Sequence, residues 1–312
     1  NSSDINTDDI EDINVLQGPA AAALFGSEGA NGAIVISTKR SKRGSKNVGL
    51  EINSTVQFDK VYILPNYQNT YAGGNGIFGR ELTLYQWQPG QPEAWKALDG
   101  KYYPEYTEDE SWGPRMVGQE YIPWYAWYGG HERAYKTASL TPQPNNIKDF
   151  YNTGVTKINN VNFSKASDNY NIRLSYTNLD IDGLNPNSWL KKNTFNFNSS
   201  VDLSNHFSIS ANINYVNSKR NAENDDTYSN NSTGSFNQWF HRDIDVNILK
   251  ELRGLKTPTG IYASWNHDNP NLYDPNNEIA FYGAYYWMNP YTYADNVYNY
   301  SISDRFFGDA AV

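Results

Sequence analysis

The sequence predicts a membrane all-β fold, in which antiparallel strands form part of a large transmembrane β-barrel. Between residues 155 and 219, successive segments of about ten residues alternate apolar and polar side chains. The connections between these segments alternate between a tight turn and a longer excursion. Short turns at one end of a sheet and long loops at the other are typical of outer-membrane barrels.

The alternation is clearest in residues 169–177, 193–203 and 206–216. Because strand side chains point alternately to opposite faces, each segment has one apolar and one hydrophilic surface. We expect the apolar surfaces to contact lipid and the hydrophilic surfaces to line a watery interior. The apolar set is Tyr170, Ile172, Leu174, Tyr176, Phe195, Phe197, Val201, Leu203, Phe207, Ile209, Ala211, Ile213 and Tyr215.

Residues 1–45 are predicted to form a small α/β unit that precedes the sheet. Residues 7–12, in which Thr7 is followed mostly by acidic residues, predict an N-capped helical turn. Residues 13–17 and 33–39 are predicted strands, and the alanine-rich stretch 20–25 is a predicted helix because Pro and Gly flank it.

The turn between this helix and the second strand contains Gly26, Ser27, Asn31 and Gly32. Gly and Asn tolerate positive φ, so these residues have a structural role first. A functional interpretation is that they act as hinges if the unit moves. The basic stretch 39–46 is a predicted linker, which we expect at the periplasmic membrane surface.

Residues 46–312 are predicted to contain the strands and loops of the barrel. Three further strands flank the central three. One begins near Asn47 and the next covers residues 156–165, both before the central strands, and the sixth begins near Tyr298. Residues 61–154 and 220–296 are long irregular excursions. Loops of that length are usually functional.

Composition agrees with a polar lumen and large wet loops rather than a dry aliphatic core. The 312 residues include 25 Tyr and nine Trp, which makes 15% aromatic residues, yet the mean hydropathy is −0.73. The absence of Cys excludes thiolate metal sites and a Cys nucleophile. A net charge of −9 argues against nucleic acid as a partner. The sequence contains no run of 18 apolar residues, so it predicts no membrane-spanning helix.

Residues 9–26 and 31–39 closely resemble the C-terminal half of the plug of TonB-dependent outer-membrane transporters. The alanine-rich helix, the aromatic-Gly-Ser turn, Ala-Asn-Gly and the strand ending in Thr-Lys are most similar to the SusC/RagA branch, which imports glycans or peptides. Further similarity lies in residues 111–115, 184–188, 238–242 and 304–308.

The resemblance implies a barrel of about 22 strands, of which about six are predicted here. Because an open sheet edge is not viable in lipid, we expect the chain to be an internal stretch of a longer polypeptide. It also implies a multi-pass protein of the bacterial outer membrane, in contact with outer-membrane lipid. The expected function is TonB-dependent import of an oligosaccharide or peptide, without catalysis. The expected partners are a SusD-like lipoprotein lid and the TonB complex, which is reached through a segment before residue 1.

The first long loop holds the predicted substrate- or partner-binding residues. Exposed aromatic rings stack on sugars and anchor peptide side chains. The alternative is that the rings pack the loop against itself. The candidates are Trp87, Trp95, Trp112, Arg115, Trp124, Tyr125 and Trp127.

An alternative function is a secreted glycan-binding or glycan-cleaving β-protein, and a third is a passive adhesin. Cleavage would need two carboxylates across a cleft, which the sequence does not place. The four histidines lack metal-site spacing, whereas residues 268–277 offer oxygen ligands for Ca²⁺ without EF-hand spacing. The acidic candidates are Glu105, Glu108, Asp109, Glu110, Asp225, Asp226, Asp243 and Asp245.

Overall fold

A computed structural model describes residues 9–39, 48–222, 236 and 239–312. The described residues form three parts: a small α/β unit, a six-stranded antiparallel sheet, and a layer built from the long connections between strands of that sheet. The predicted boundary at residues 45 and 46, most of the basic linker, and Asp225 and Asp226 lie outside the described residues.

The α/β unit pairs strand β1 (Ile10–Leu16) with strand β2 (Ala33–Thr38) in antiparallel fashion. Helix α1 (Gly18–Phe25) and a 3-10 helix (Gly26–Gly29) connect the two strands. The predicted helix is confirmed and begins two residues earlier. Gly26 ends it at φ 66°, a conformation that favours glycine.

The predicted helical turn over residues 7–12 is wrong where the structure describes it. Ile10 pairs with Thr38, and Ile13 pairs with Ile36 in the β1–β2 ladder. Pairing with β2 outweighs the local capping signal, because the ladder satisfies backbone N–H and C=O groups that a single helical turn leaves without partners. Residues 7 and 8 lie outside the described part of the chain.

The sheet contains six strands that pair in sequence order, each with its neighbour along the chain. Among the described residues the sheet does not close on itself. The predicted tight turns after residues 166 and 204 are confirmed, and both long connections lie at the opposite end. The strands are β3 (Val48–Asp59), β4 (Gly154–Ala166), β5 (Tyr170–Asp182), β6 (Trp189–Ser204), β7 (Phe207–Asn221) and β8 (Tyr300–Ala311).

One face of the sheet is apolar and uncovered, as the alternation predicts. The register places Phe163, Leu174, Phe197 and Ile213 side by side across four strands. Phe195, in the next row, is 48% exposed. On β6 this apolar face extends from Leu203 to Phe195, about 27 Å along the strand at about 3.4 Å per residue.

Tyrosine hydroxyls mark the limit of this apolar face on the side of the long connections. Tyr176 donates to Asn193 at 2.8 Å, and Tyr215 donates to Asp304 at 2.7 Å. The rings lie with the apolar rows, while the hydroxyls reach a row of amides and a carboxylate. Aromatic residues with one apolar and one wet end are typical of a membrane–water boundary.

The opposite face is lined by amides and hydroxyls that are largely buried. Asn160 donates to Thr177 at 2.6 Å, and Asn196 donates to Asn214 at 2.8 Å. Arg173 of β5 lies on this face and contacts Asp9, next to β1 of the α/β unit. The α/β unit therefore adjoins the polar face of the sheet.

The long connections form a layer of their own, here called the loop layer: residues 60–153 and 239–299, with Phe236. It contains four helices and two pairs of two-residue strands. No helix in the described residues is long and apolar enough to cross a membrane. The helices are α2 (Asn146–Phe150), α3 (Val246–Glu251), α4 (Glu278–Tyr282) and α5 (Pro290–Asn296).

Candidate functional site

The loop layer has an aromatic core, and two predicted binding residues lie at its centre. Trp95 and Trp127 are both 0% exposed, with ring centroids 4.9 Å apart in an edge-on arrangement. The indole of Trp95 donates to the backbone oxygen of Trp127 at 3.1 Å, and that of Trp127 donates to Tyr106 at 3.0 Å. These two rings contact protein on all sides, as the packing interpretation predicts.

Three other predicted residues lie in or beside the same core. Trp124 and Tyr125 are buried and adjacent, with centroids 5.5 Å apart. Trp87 is half-buried; its indole donates to the oxygen of Pro92 at 3.2 Å, and Lys96 lies 4.3 Å from its ring. Their binding role stays a prediction.

Trp112 and Arg115, in contrast, line an open groove of about 880 Å³ on the surface of the loop layer. Trp112 is 57% exposed, and its ring lies 6.2 Å from that of Tyr71. Backbone pairing joins Tyr71 to Arg115, so that the two residues lie side by side along the groove. An exposed ring pair of this kind can stack on the face of a sugar or an aromatic side chain.

Charged side chains of both signs complete the groove. Arg80, Arg115 and Glu81 are exposed, and within the described residues their side chains have no hydrogen-bond partner. Glu120 accepts from Thr137 at 2.7 Å and from Lys101 at 2.9 Å, and these two hydrogen bonds lower the pKa of its carboxyl. The unpaired guanidinium groups can donate paired hydrogen bonds to a carboxylate or to neighbouring hydroxyls.

A buried arginine connects the two long loops beneath this surface. Arg242, 3% exposed, donates to the backbone oxygens of Gln68 and Pro144 and to the side chains of Asn69 and Asn146. Its guanidinium also lies 4.9 Å from the ring of Tyr67. Burial lowers the pKa of Arg242, and neutral oxygens rather than a carboxylate accept its hydrogen bonds. We call this arrangement the Arg242 clasp.

The described acidic candidates hold the loops in shape. Asp243 accepts from the amide of Gly73 at 3.0 Å, and Asp245 caps α3. Asp109 accepts from the indole of Trp287 at 2.6 Å. Burial, reinforced by Glu110, raises the pKa of Glu108. These carboxylates act in hydrogen bonds within the protein rather than as a pair facing each other across a cleft.

His267 and the candidate Ca²⁺ segment, residues 268–277, lie next to each other in the loop layer. His267 is fully buried, and burial lowers its pKa to about 4. In the segment 268–277, Asp274 accepts from the backbone and side chain of Asn276. Among the described residues, no three His, Asp or Glu side chains come together as metal ligands do. Binding of Ca²⁺ stays a prediction.

Sequence reasoning missed several groove and clasp residues. Tyr71 and Arg80 flank a glycine-rich stretch whose positive-φ turns bring them next to Trp112, but separation in sequence hides this proximity. Arg242 was noted only within a motif similar to the transporter branch. Two of the predicted turn residues, Gly26 and Gly32, have positive φ angles of 66° and 99°. Their role as hinges, with Ser27 and Asn31, stays a prediction.

A sheet with one uncovered apolar face, one amide-lined face and an α/β unit beside the latter defines the class: an antiparallel β-protein of the outer-membrane type. No family model matches the chain. It is 39% identical over 56 residues to "TonB-dependent receptor P39" of Formosa agariphila, covering 18% of this chain and 5% of that protein. It is 33% identical over 81 residues to "TonB-dependent receptor SusC" of Bacteroides thetaiotaomicron, covering 25% and 8%.

A solved structure agrees at the level of the fold. The RagAB peptide importer in its open-open state matches with a TM-score of 0.54 and 16% identity, over 99% of this chain and 30% of that chain. The closed-closed state matches with a TM-score of 0.49 and 18% identity, over 71% and 23%. The chain therefore covers under a third of each matched importer chain. The predicted resemblance is confirmed to this extent: part of the sequence is similar to SusC, and the fold is similar to that of the RagAB importer.

Proposed function

We propose that this chain forms part of the barrel wall and plug of a TonB-dependent importer in the bacterial outer membrane. The observation that carries the proposal is that the sheet exposes its apolar face and buries its polar face. Its apolar side chains, such as Phe195, are uncovered, while its amides, such as Asn160 and Asn196, are buried. A soluble protein would bury the apolar face, whereas a membrane wall turns it to lipid. In this proposal the α/β unit, which lies beside the amide face, is part of the plug.

The groove of Trp112, Tyr71 and Arg115 is the proposed docking place for an oligosaccharide or a peptide. Stacking rings beside unpaired guanidinium groups suit both substrate classes. A SusD-like lipoprotein is the proposed lid over the loop layer. One relative is named a TonB-dependent receptor, SusC, and one structural neighbour is named a peptide importer, which supports an import function.

The alternative, a secreted glycan-cleaving protein, receives less support. Asp109, Asp243 and Asp245 accept hydrogen bonds from the protein itself. A soluble enzyme also gains nothing from an uncovered face of Phe and Ile side chains.

Fractionation and uptake together test the proposal. The full-length protein should sediment with outer membranes and require detergent for extraction. Cells should lose energy-dependent uptake of their oligosaccharide or peptide substrate when the gene is deleted, and a protonophore should abolish the same uptake. Recovery from the soluble fraction, or uptake that is indifferent to the protonophore, would contradict it.

A further inference from the structure

The charged side chains of the open groove are not balanced. Glu120 is paired within the protein, because Nζ of Lys101 lies 2.9 Å from its carboxylate. The other charged side chains that line the groove, among the described residues, are Arg80, Arg115 and Glu81. All three are exposed, and none has an ion-pair partner in the described part of the chain. Two unpaired cations therefore lie in the groove with one unpaired anion, which leaves an excess of positive charge.

The turn that leads to Arg80 is fixed from the side of the protein. Oδ1 of Asn75 accepts from the backbone amides of Ile77 and Phe78 at 2.9 and 2.7 Å. The side-chain amide of Asn75 donates to Glu108 at 2.7 Å, so this acid holds the turn. The backbone before Arg80 is therefore ordered before a ligand arrives, which lowers the entropy cost of binding.

Arg115 lies on a hydrogen-bonded segment that also presents the aromatic wall of the groove. The amide of Ala72 donates to the oxygen of Pro114, and the amide of Gly113 donates to the oxygen of Ala72, both at 2.9 Å. The segment packs on a small hydrophobic cluster that is distinct from the aromatic core: Ala72, Met116, Tyr121 and Leu140. The same segment thus offers an exposed ring, Trp112, and an unpaired guanidinium, Arg115, to one groove.

This combination matches a ligand that carries a carboxylate beside a ring. A guanidinium can donate two parallel hydrogen bonds to a carboxylate, and such charge-assisted hydrogen bonds are about twice as strong as neutral ones. An exposed indole stacks on a sugar ring or on an aromatic side chain. A neutral oligosaccharide would gain the stacking but not the charge-assisted hydrogen bonds, and a cationic ligand would meet the positive excess. The chemistry of the groove therefore favours acidic ligands.

We propose that the groove selects ligands with a carboxylate, which Arg80 and Arg115 bind while the ring of Trp112 stacks on the adjoining ring of the ligand. The inference rests on the docking role proposed for this groove, and it narrows the substrate from oligosaccharides and peptides in general to acidic ones. Two sources share this chemistry: a uronate unit of an oligosaccharide, and the carboxyl end of a peptide whose last side chain is aromatic.

Binding of matched ligand pairs to the full-length, detergent-solubilised protein tests the inference. One pair is a trisaccharide with a terminal glucuronate and the same trisaccharide with that unit reduced to glucose. The other pair is an acetylated tripeptide that ends in phenylalanine and the amide of the same tripeptide. Isothermal titration gives the Kd of each ligand for the parent and for Arg80→Gln, Arg115→Gln and Trp112→Ala. Arg253→Gln is the matched control, because Arg253 is an exposed arginine of the loop layer outside the groove, where it pairs with Asp295 at 2.9 Å.

In at least one pair, the acid should bind the parent about tenfold more tightly than its neutral partner, the gain expected from charge-assisted hydrogen bonds in an exposed groove. Arg80→Gln and Arg115→Gln should each remove most of this preference and leave the affinity for the neutral partner unchanged. Trp112→Ala should weaken both members of the pair equally, and Arg253→Gln should change neither. Added salt should reduce the preference, because it screens exposed charges.

The two pairs also identify the source of the carboxylate. A preference within the saccharide pair alone assigns the groove to uronates, and a preference within the peptide pair alone assigns it to peptide carboxyl ends. Absence of a preference in both pairs, or a preference that survives both arginine substitutions, overturns the inference.

Failure of the import proposal gives a different result. A full-length protein that is recovered from the soluble fraction, yet prefers the acid through Arg80 and Arg115, keeps the carboxylate site and contradicts import. Energy-dependent uptake by a protein that shows no preference for the acid keeps import and contradicts the carboxylate site.

Discussion

Substitution of Arg242 by Met should release the two long loops from each other. In the native structure the guanidinium satisfies four acceptors: the backbone oxygens of Gln68 and Pro144 and the side-chain oxygens of Asn69 and Asn146. Met fills much of the same volume but donates no hydrogen bond. The variant therefore removes the hydrogen bonds of the clasp while largely preserving its packing.

The magnitude follows from two opposing contributions. Hydrogen bonds to a charged group contribute about 1.5–3 kcal/mol each, and abandoned buried acceptors cost about 1–3 kcal/mol each. Against this, the variant no longer buries a cation, whose desolvation costs several kcal/mol. Asn146 also keeps its hydrogen bond from the amide of Ile147. We expect a net loss of about 3 kcal/mol in the stability of the loop layer.

Tryptophan spectroscopy measures this loss, because every Trp except Trp189 lies in the loop layer. Denaturant unfolding of the detergent-solubilised protein is followed by fluorescence and near-UV circular dichroism. Arg133→Gln is the control, since Arg133 also joins the two loops, through Glu251 at 3.1 Å, but is 38% exposed. An exposed pair contributes no more than about 1 kcal/mol. Equal, small shifts for both variants would refute the assignment of Arg242 as the clasp.

Three further predictions concern the groove, the sheet faces and pH. Trp112→Ala should reduce substrate binding at least tenfold without changing stability, whereas Trp127→Ala should destabilise the loop layer by about 3–5 kcal/mol; binding isotherms and denaturation curves distinguish the two. Phe197→Lys should destabilise the membrane-inserted protein by about 2–4 kcal/mol, and Asn198→Lys on the lumen face by clearly less, as measured by unfolding in lipid vesicles. Burial lowers the pKa of His267 to about 4, so between about pH 6.5 and pH 4 only the unfolded state takes up a proton at this residue. The free energy of unfolding of the loop layer should therefore fall by about 3 kcal/mol as the pH drops through this range. Denaturation curves measured across this pH range should show a flatter dependence for His267→Gln.

The sheet could be predicted because its signal is periodic and local. The alternating sequence of a strand such as β6 is enough to assign its two faces. The few residues between two such strands, as at 204–206, are enough to predict a tight turn. Alternation marks the middle of a strand better than its ends: it is clearest over residues 169–177, whereas β5 extends to Asp182. In the extra residues the alternation continues, but the apolar side chains, Leu179 and Ile181, lie on the opposite face of the strand.

The groove and the clasp could not be predicted in the same way, because they depend on contacts distant in sequence. Arg242 contacts Asn69, 173 residues away, and Asp9 contacts Arg173, 164 residues away. Nothing in the local pattern of either segment specifies its partner. Aromatic composition also failed to separate Trp112, which is exposed, from Trp127, which is buried.

The unusual composition follows from where this chain has to build its hydrophobic core. Since the sheet leaves its apolar face uncovered, almost all buried apolar side chains of the described residues belong to the loop layer; the exceptions are Ala21, Ala166 and Val216. A core made of loops contains many backbone carbonyls that no helix or strand satisfies, and each costs free energy if it is buried without a donor.

Leu and Val cannot donate to such carbonyls, whereas Tyr and Trp combine a large apolar ring with a donor at its edge. The hydroxyl of Tyr106 donates to the oxygen of Ile122, and that of Tyr128 donates to the oxygen of Tyr282 at 2.8 Å. The indole of Trp95 does the same for Trp127. The abundance of Tyr and Trp is therefore first a requirement of a core without regular secondary structure. Only rings left outside that core, as Trp112 is, remain free to meet a ligand.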